Sequence, residues 1–436
     1  MIAWFEREVP CRGSVLFRGT MPPRPEEFDH LAGLGVAIER LEPAPAAHWG
    51  LKLRHPQWGD AMMVCLRHVG PPPKELIDLD VHLSEKERQQ VRSAGSIVTF
   101  SVDTRRKHVL RARKLLLRFL RAGMGDLGLA AMDHEAQRFW SRAALDEELS
   151  HDADLDIEGM FALHAVTGEE SEEVTWLHSH GLAEMGFLDF DVVNPAEELL
   201  GPAWDMLRAI ALMIVEGELG RATARITLAH PGGDVRSVTA AEFMRKADPA
   251  FAALRDDPDR QHEADRVVLC EPVGRFLGRW LGRVRPSKFL SGPIEEGSVI
   301  MFSHEASDLM ARRARNTFGL FCRIREELAE FKLPVLVKIA YRVDGGDEQD
   351  LEHLWFEVHE VLEDAVDATL INEPHHIARM EAGQRGRHPV ASMSDWQILT
   401  PAGTINPRRT TALRVIRENW DAFREALRKA REEKEE

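Results

Sequence analysis

Short apolar runs broken by turn residues near both ends of the chain, alternating with stretches at helical spacing, predict an α+β protein. It should be multidomain, with mixed or antiparallel sheets and flanking helices. At 436 residues the chain has room for about three compact units. Hydrophobic residues make up 44% and charged residues 29%, the balance of an ordinary folded chain, which excludes wholesale disorder and fibrous repeats.

The elements follow in order. Residues 13–17 and 61–66 read as strands, and Pro71-Pro72-Pro73 interrupts any regular element, so a first α+β unit is expected over residues 1–72. Ser84-Glu85-Lys86-Glu87 carries a capping-box pattern that opens a short helix, and 96–102 reads as the next strand. A middle α+β domain is expected over 95–245. From 105 to 121, Val109, Ala112, Leu116 and Phe119 recur at helical spacing, and Lys107, Arg111, Lys114, Arg118 and Arg121 form a basic stripe on another face. Residues 158–166 and 174–178 read as paired strands, 187–193 as another strand, and 196–216 as a long helix. The stretch 246–265, rich in Asp, Arg and Pro, opens a linker and helical segment over 246–332. The last unit, 333–436, has strands at 333–340 and 354–358 joined through Gly345-Gly346-Asp347. A short helix after Asn372-Glu373-Pro374 should end at Gly383, and a terminal helix should start at Thr411.

The net charge of −16 argues against a protein that coats nucleic acid or an anionic membrane with its whole surface. No apolar run approaches the length of a membrane span, and the first eight residues lack a signal peptide's basic flank, so no membrane contact and a cytoplasmic location are expected. Cys11, Cys65, Cys270 and Cys322 lie far apart, encode neither a zinc ribbon nor a disulfide framework, and are expected as reduced, mostly buried thiols.

His178 and His180 are two residues apart on a strand and would project from one face, as a pair of metal ligands requires. Asp189 and Asp191 share that parity on an adjacent stretch, so the four could hold a divalent ion. The simpler reading is a polar face that hydrogen-bonds a nearby turn, and that reading is preferred. His304 and Asp308, one helical turn apart, are a weaker pair. Gly123-x-Gly125-x-x-Gly128 has the dinucleotide spacing, but it follows a helix, so a helix exit is expected there. Trp355, Asp395 and Trp396 could clamp a ligand, although two tryptophans in a small unit are more simply its core.

Glu352-His353-Leu354-Trp355, then Asn372-Glu373-Pro374, then Ser394-Asp395-Trp396 resembles the YegJ-like family of bacterial domains of unknown function, over about 333–412. Trp176-Leu177-His178-Ser179-His180-Gly181-Leu182, followed by Asp189-Phe190-Asp191, resembles a second uncharacterised bacterial family that often precedes it. Neither resemblance implies an activity. The sequence favours a non-catalytic cytoplasmic binding or regulatory protein without a cofactor, with a protein or small-molecule partner it does not specify. A toxin, defence or stress setting suits such a protein, although no residue points to one. Nucleic acid would have to be met by Lys107, Arg111, Lys114 and Arg118. The alternative is a metal-dependent hydrolase centred on His178 and His180.

Overall fold

A computed structural model describes residues 8–80, 82–105, 108–152, 161–167, 174–182, 189–193, 226–227, 234–239, 266–272, 284–286, 304–347 and 350–435. The helix expected at 196–216 and the segment 246–265 lie outside the described residues.

The first sheet is built from β1 (Glu8–Phe17), β2 (Ala37–Leu41), β3 (Ala47–His55), β4 (Gly59–Leu66), β5 (Ser96–Arg105), β6 (Gly128–Asp133) and β7 (Arg138–Ser141). Its order is β2-β3-β4-β5-β1-β6-β7, antiparallel throughout. The apolar run that marks 61–66 as a strand is pleated so that Ala61, Met63 and Cys65 lie inside. The division expected between 72 and 95 runs through this sheet, because β1 takes β5 on one edge and β6 on the other. Strand pairing over such distances leaves no mark in local periodicity.

The capping box closes as expected on α1 (Glu85–Arg92), where the Ser84 Oγ accepts from the Glu87 amide and Glu87 reaches back to the Ser84 amide. The stripe-bearing helix is α2 (Val109–Met124), which lays Leu116, Leu117, Phe119 and Leu120 into the first core. A Cβ at Gly123 would stand 2.4 Å from Phe100 Cζ, so only glycine lets α2 lie this close to β5. Gly125, with φ of +45°, ends the helix, and Gly128 opens β6. The three glycines therefore form a tight helix exit. A short helix, α3 (Arg142–Leu149), packs on the other side of α2.

The second sheet combines β8 (Ala162–Thr167), β9 (Val174–His180), β10 (Asp189–Val193), β11 (Ile226–Thr227), β12 (Asp234–Thr239), β13 (Arg266–Pro272) and β14 (Val284–Pro286). It is mixed: β10 and β13 run parallel and the other pairs antiparallel. Leu177, Phe190 and Val192 belong to the same apolar cluster as α2 and β1, so the first two sheets share one core.

The third sheet, also antiparallel, has β15 (Val335–Arg342), β16 (Leu351–Val361), β17 (Ala365–Leu370), β18 (Arg385–Pro389), β19 (Met393–Thr400) and β20 (Gly403–Ile405), in the order β18-β17-β16-β15-β19-β20. It is covered by α4 (His304–Asn316), α5 (Phe318–Glu327), α6 (Thr411–Glu418) and α7 (Trp420–Glu435). The terminal helix expected from Thr411 is thus two helices, broken at Asn419 with φ of −131°. The helix expected between Pro374 and Gly383 is absent. Instead the Glu352 carboxylate accepts from the amides of His375 and His376 at 2.7 and 2.9 Å, and Asp344 accepts from Ala378, which holds the segment as turns.

The first and last units meet through ion pairs. The Arg414 guanidinium donates to Glu87 at 2.9 Å and Glu147 at 3.0 Å, and Arg313 donates to both oxygens of Glu148 at 3.3 and 2.7 Å. Ser84 Oγ donates to Glu418 at 2.9 Å on the same seam. Among the described residues no helix is long and apolar enough to cross a membrane.

Candidate functional site

The histidine pair sits where its spacing placed it, on β9, and both rings are buried, with 9% of His178 and 3% of His180 exposed. A third imidazole joins them. His164 on β8 lies directly across from His178, with ring centroids 5.2 Å apart, and 6.0 Å from His180. On the other side His178 faces Asp191 of β10, so His164, His178 and Asp191 form a row across three strands. The sequence paired these stretches without fixing their register, and register alone puts His164 beside His178. Asp189 is bonded to the turn that follows β9. Its Oδ1 accepts from Ser179 Oγ at 2.5 Å and from the Leu182 amide at 3.2 Å, while Ser179 Oγ accepts from the Phe190 amide at 3.0 Å. These bonds tie the Gly181-Leu182 turn to β10. Among the described residues, no group of three or more His, Cys, Asp or Glu side chains is arranged to hold a metal ion. The side chains of His304 and Asp308 lie outside the described residues.

Trp355, Asp395 and Trp396 do not form a clamp. Lys338 stands in register between Trp355 and Asp395, whereas Trp396 pairs with Val337, so the two indoles lie on opposite faces of the sheet. Trp396 is fully buried, and its Nε1 donates to Thr317 Oγ1 at 2.9 Å. Trp355 is half-buried beneath the Lys338 ammonium, 5.5 Å from the ring centroid, and its amide donates to Asn372 Oδ1 at 2.8 Å. Asp395 accepts from the Trp396 amide at 2.9 Å and from Arg408 at 3.1 Å. The spacing of Glu352, Trp355, Asn372 and Asp395 is thus accounted for by backbone amides and one ion pair.

The basic stripe is largely consumed within the molecule. Lys107 lies outside the described residues. Lys114 is buried, because α3 covers that side of α2, and its Nζ donates to Glu148 Oε1 at 2.7 Å. Arg118 pairs with Asp152 at 3.0 Å and Arg121 with Asp146 at 2.6 Å. Lys114 is therefore not presented to a phosphate backbone.

Arg111, the exposed member, lines a cavity of about 420 Å³ between the β3–β4 hairpin, β5 and the start of α2. Trp58, Lys52, Asp60, Asp103 and His108 line it too. Trp58 stacks on His55 with centroids 4.0 Å apart, and Lys52 meets Asp60 at 3.7 Å. The volume is that of a small-molecule site, for which about 300–1,000 Å³ is usual. Four separate segments build it, and the one local signal was an aromatic residue in the tight turn before Gly59, which has φ of +80°.

A buried Ser–His pair also occurs: Ser14 Oγ lies 2.8 Å from His134 Nε2 and 3.0 Å from Thr99 Oγ1. Ser14 is only 1% exposed, so this is a structural hydrogen bond and not a presented nucleophile. Cys11 and Cys65 are buried free thiols and Cys322 is a half-buried one. Burial pushes Cys11 up to about 12, the opposite of an activated cysteine.

No curated protein and no solved structure matches the chain. Two families do. Residues 163–270, which hold the three histidines, match the C-terminal part of a family described as a protein of unknown function (DUF4026). Residues 305–417, which hold the third sheet with α4, α5 and most of α6, match a family described as an uncharacterized protein conserved in bacteria (DUF2314). The chain is thus similar to two families of unknown function, one over the histidine-bearing sheet and one over the sheet that carries Trp355 and Asp395.

Proposed function

We propose that the protein is a non-catalytic, cytoplasmic binding or regulatory protein, and that the cavity beside α2 receives its ligand, a small polar molecule. The volume and lining of that cavity carry the reading. One indole face, two cationic side chains (Lys52 and Arg111) and two carboxylates (Asp60 and Asp103) suit a ligand that bears both charges and a flat apolar part. Burial of His178 and His180 supports it as well, since a catalytic metal keeps an open position for water or substrate. The free thiols of Cys11, Cys65 and Cys322 suit a reducing compartment.

The row of His164, His178 and Asp191 favours the second reading, a metal-dependent hydrolase. Thermal-shift screening of zwitterionic and aromatic metabolites against wild type, Trp58→Ala and Arg111→Gln tests the first. The expected result is a compound that raises the melting temperature of wild type and loses that effect in both variants. Metal analysis of protein purified without chelator tests the second. A stoichiometric divalent ion that disappears in His178→Ala or His180→Ala would put the hydrolase first.

A further inference from the structure

The face of the third sheet that turns away from the core under α4 and α5 carries a cluster of reactive side chains. Leu354 and Phe356 of β16 point into that core, so His353 and Trp355 point the other way. Register then sets Lys338 of β15 between Trp355 and Asp395 of β19. The pairing of β15 with β19 slips after Lys338, whose partner is Asp395, because Ile339 pairs with Met393 and Ser394 is the extra residue. This bulge brings Ser394 round to the same face, where its Oγ lies 2.8 Å from His353 Nδ1. We propose that the face is a covalent binding site, in which the Lys338 amine forms a reversible imine with a small aromatic aldehyde.

An amine attacks a carbonyl only without its third proton, and Lys338 is placed to lose it. Among the described residues its Nζ has no ion pair and no hydrogen bond, and it rests over the Trp355 ring, 5.5 Å from the centroid. Asp395, the acid whose charge Lys338 feels, is held by Arg408 at 3.1 Å and by the Trp396 amide at 2.9 Å. Burial lowers Lys338 below the usual lysine range, with Asp395 acting against the shift and Arg408 adding to it. Lys52 and Lys114 differ in having carboxylate partners, Asp60 and Glu148.

His353 supplies the base. Ser394 Oγ donates to the Lys338 carbonyl at 3.3 Å, so toward His353 it accepts, and Nδ1 carries the ring proton. Nε2 is then the basic nitrogen, without a partner among the described residues. The Lys338 charge adds to burial in lowering His353, as it does only when the two groups are close. Ala340, opposite His353 and two residues from Lys338, puts only a methyl group on the face between them. The step balances without an oxidant. The neutral Nζ bonds to the carbonyl carbon as the C=O π pair moves to oxygen, and one N–H proton reaches that oxygen by way of His353 Nε2. The hydroxyl then leaves with the second N–H proton as water, and C=N remains. Trp355 offers a ring face to the aromatic part of the ligand.

The full-length chain is incubated at pH 7 with benzaldehyde and sodium cyanoborohydride, which reduces an imine to a stable amine, and the labelled lysines are mapped by mass spectrometry. Lys338 should be labelled ahead of the exposed Lys86, Lys332 and Lys429. That lead should shrink with acetaldehyde, which has no ring to lay on Trp355. It should shrink also in His353→Asn, which keeps a donor at the Nδ1 position and removes Nε2. Lys114, buried in the folded chain, should stay unlabelled throughout and marks each sample as folded. Equal labelling of Lys338 and Lys332 in wild type, or a lead that either change leaves intact, would overturn the proposal and leave Lys338 as a cation resting on an indole.

Discussion

The interior of the first unit and the seam where it meets the last unit are both shielded from water, yet they are made of opposite materials. Inside, α2 sets Leu116, Leu117, Phe119 and Leu120 against the strands, and the attraction is non-directional. At the seam, the three carboxylates of Glu87, Glu147 and Glu148 are shared among four cations, Arg414, Arg417, Arg313 and Lys114. An apolar core accepts many shapes of similar volume, whereas a buried charge is stabilised only by its own partner at the right distance. The difference teaches that the core makes the units compact, while the pairs at the seam select one docked arrangement of them.

The sharpest contrast within the apolar material is between the two tryptophans of the third sheet. Trp396→Ala should cost about 3–5 kcal/mol, since the ring is fully buried, and Trp355→Ala only about 1–2 kcal/mol, since that residue is already partly exposed to water. Urea denaturation of the two variants measures this, and equal losses would break the assignment of the rings to opposite faces.

At the seam, Glu148→Gln leaves Lys114 and Arg313 buried without their shared carboxylate and should cost about 3–5 kcal/mol. Replacing all three at once by Met, Leu and Leu should recover much of that loss. Arg118→Ala is the control: its partner Asp152 is 92% exposed, and about 0–1 kcal/mol is expected. If the triple variant is no better than Glu148→Gln, the seam depends on more than the pairing of these charges.

Acid should distinguish the two materials with a smaller effect per group. Burial, with Arg12, pushes His134 down to about 4, and burial also takes His151 there. Between pH 6.5 and 4 the unfolded chain therefore binds protons that the folded chain refuses, so stability is full above 6.5 and falls as pH drops through that window. The loss is on the order of 3 kcal/mol for each ring at most. Burial acts to raise Glu148, but Arg313 and Lys114 outweigh it and hold it at about 2, so its contribution is present above 4.5 and disappears between 4.5 and 2. Urea midpoints followed downward in pH should fall in these two steps, the first of them absent from a His134→Gln, His151→Gln double variant. A flat profile between pH 6.5 and 4 would remove His134 and His151 as a source of acid sensitivity, and a flat profile between 4.5 and 2 would remove Glu148.

Local pattern was enough to place several elements. The apolar run at 61–66 became β4, the helical spacing of Val109, Ala112, Leu116 and Phe119 became α2, and Ser84 with Glu87 closed its capping box. Each of these depends on residues within a turn or two of one another, so the sequence by itself determined them, along with the shared face of His178 and His180. Partners brought from elsewhere in the chain decided the rest. The pairing of β1 with both β5 and β6 merged two expected units, and the register of β8 on β9 set His164 beside His178. The docking of α3 and α4 turned Lys114 from a member of a solvated stripe into half of a buried ion pair. Burial and cross-strand neighbourhood are properties of pairs of distant segments, and no periodicity along one segment records which partner will cover it.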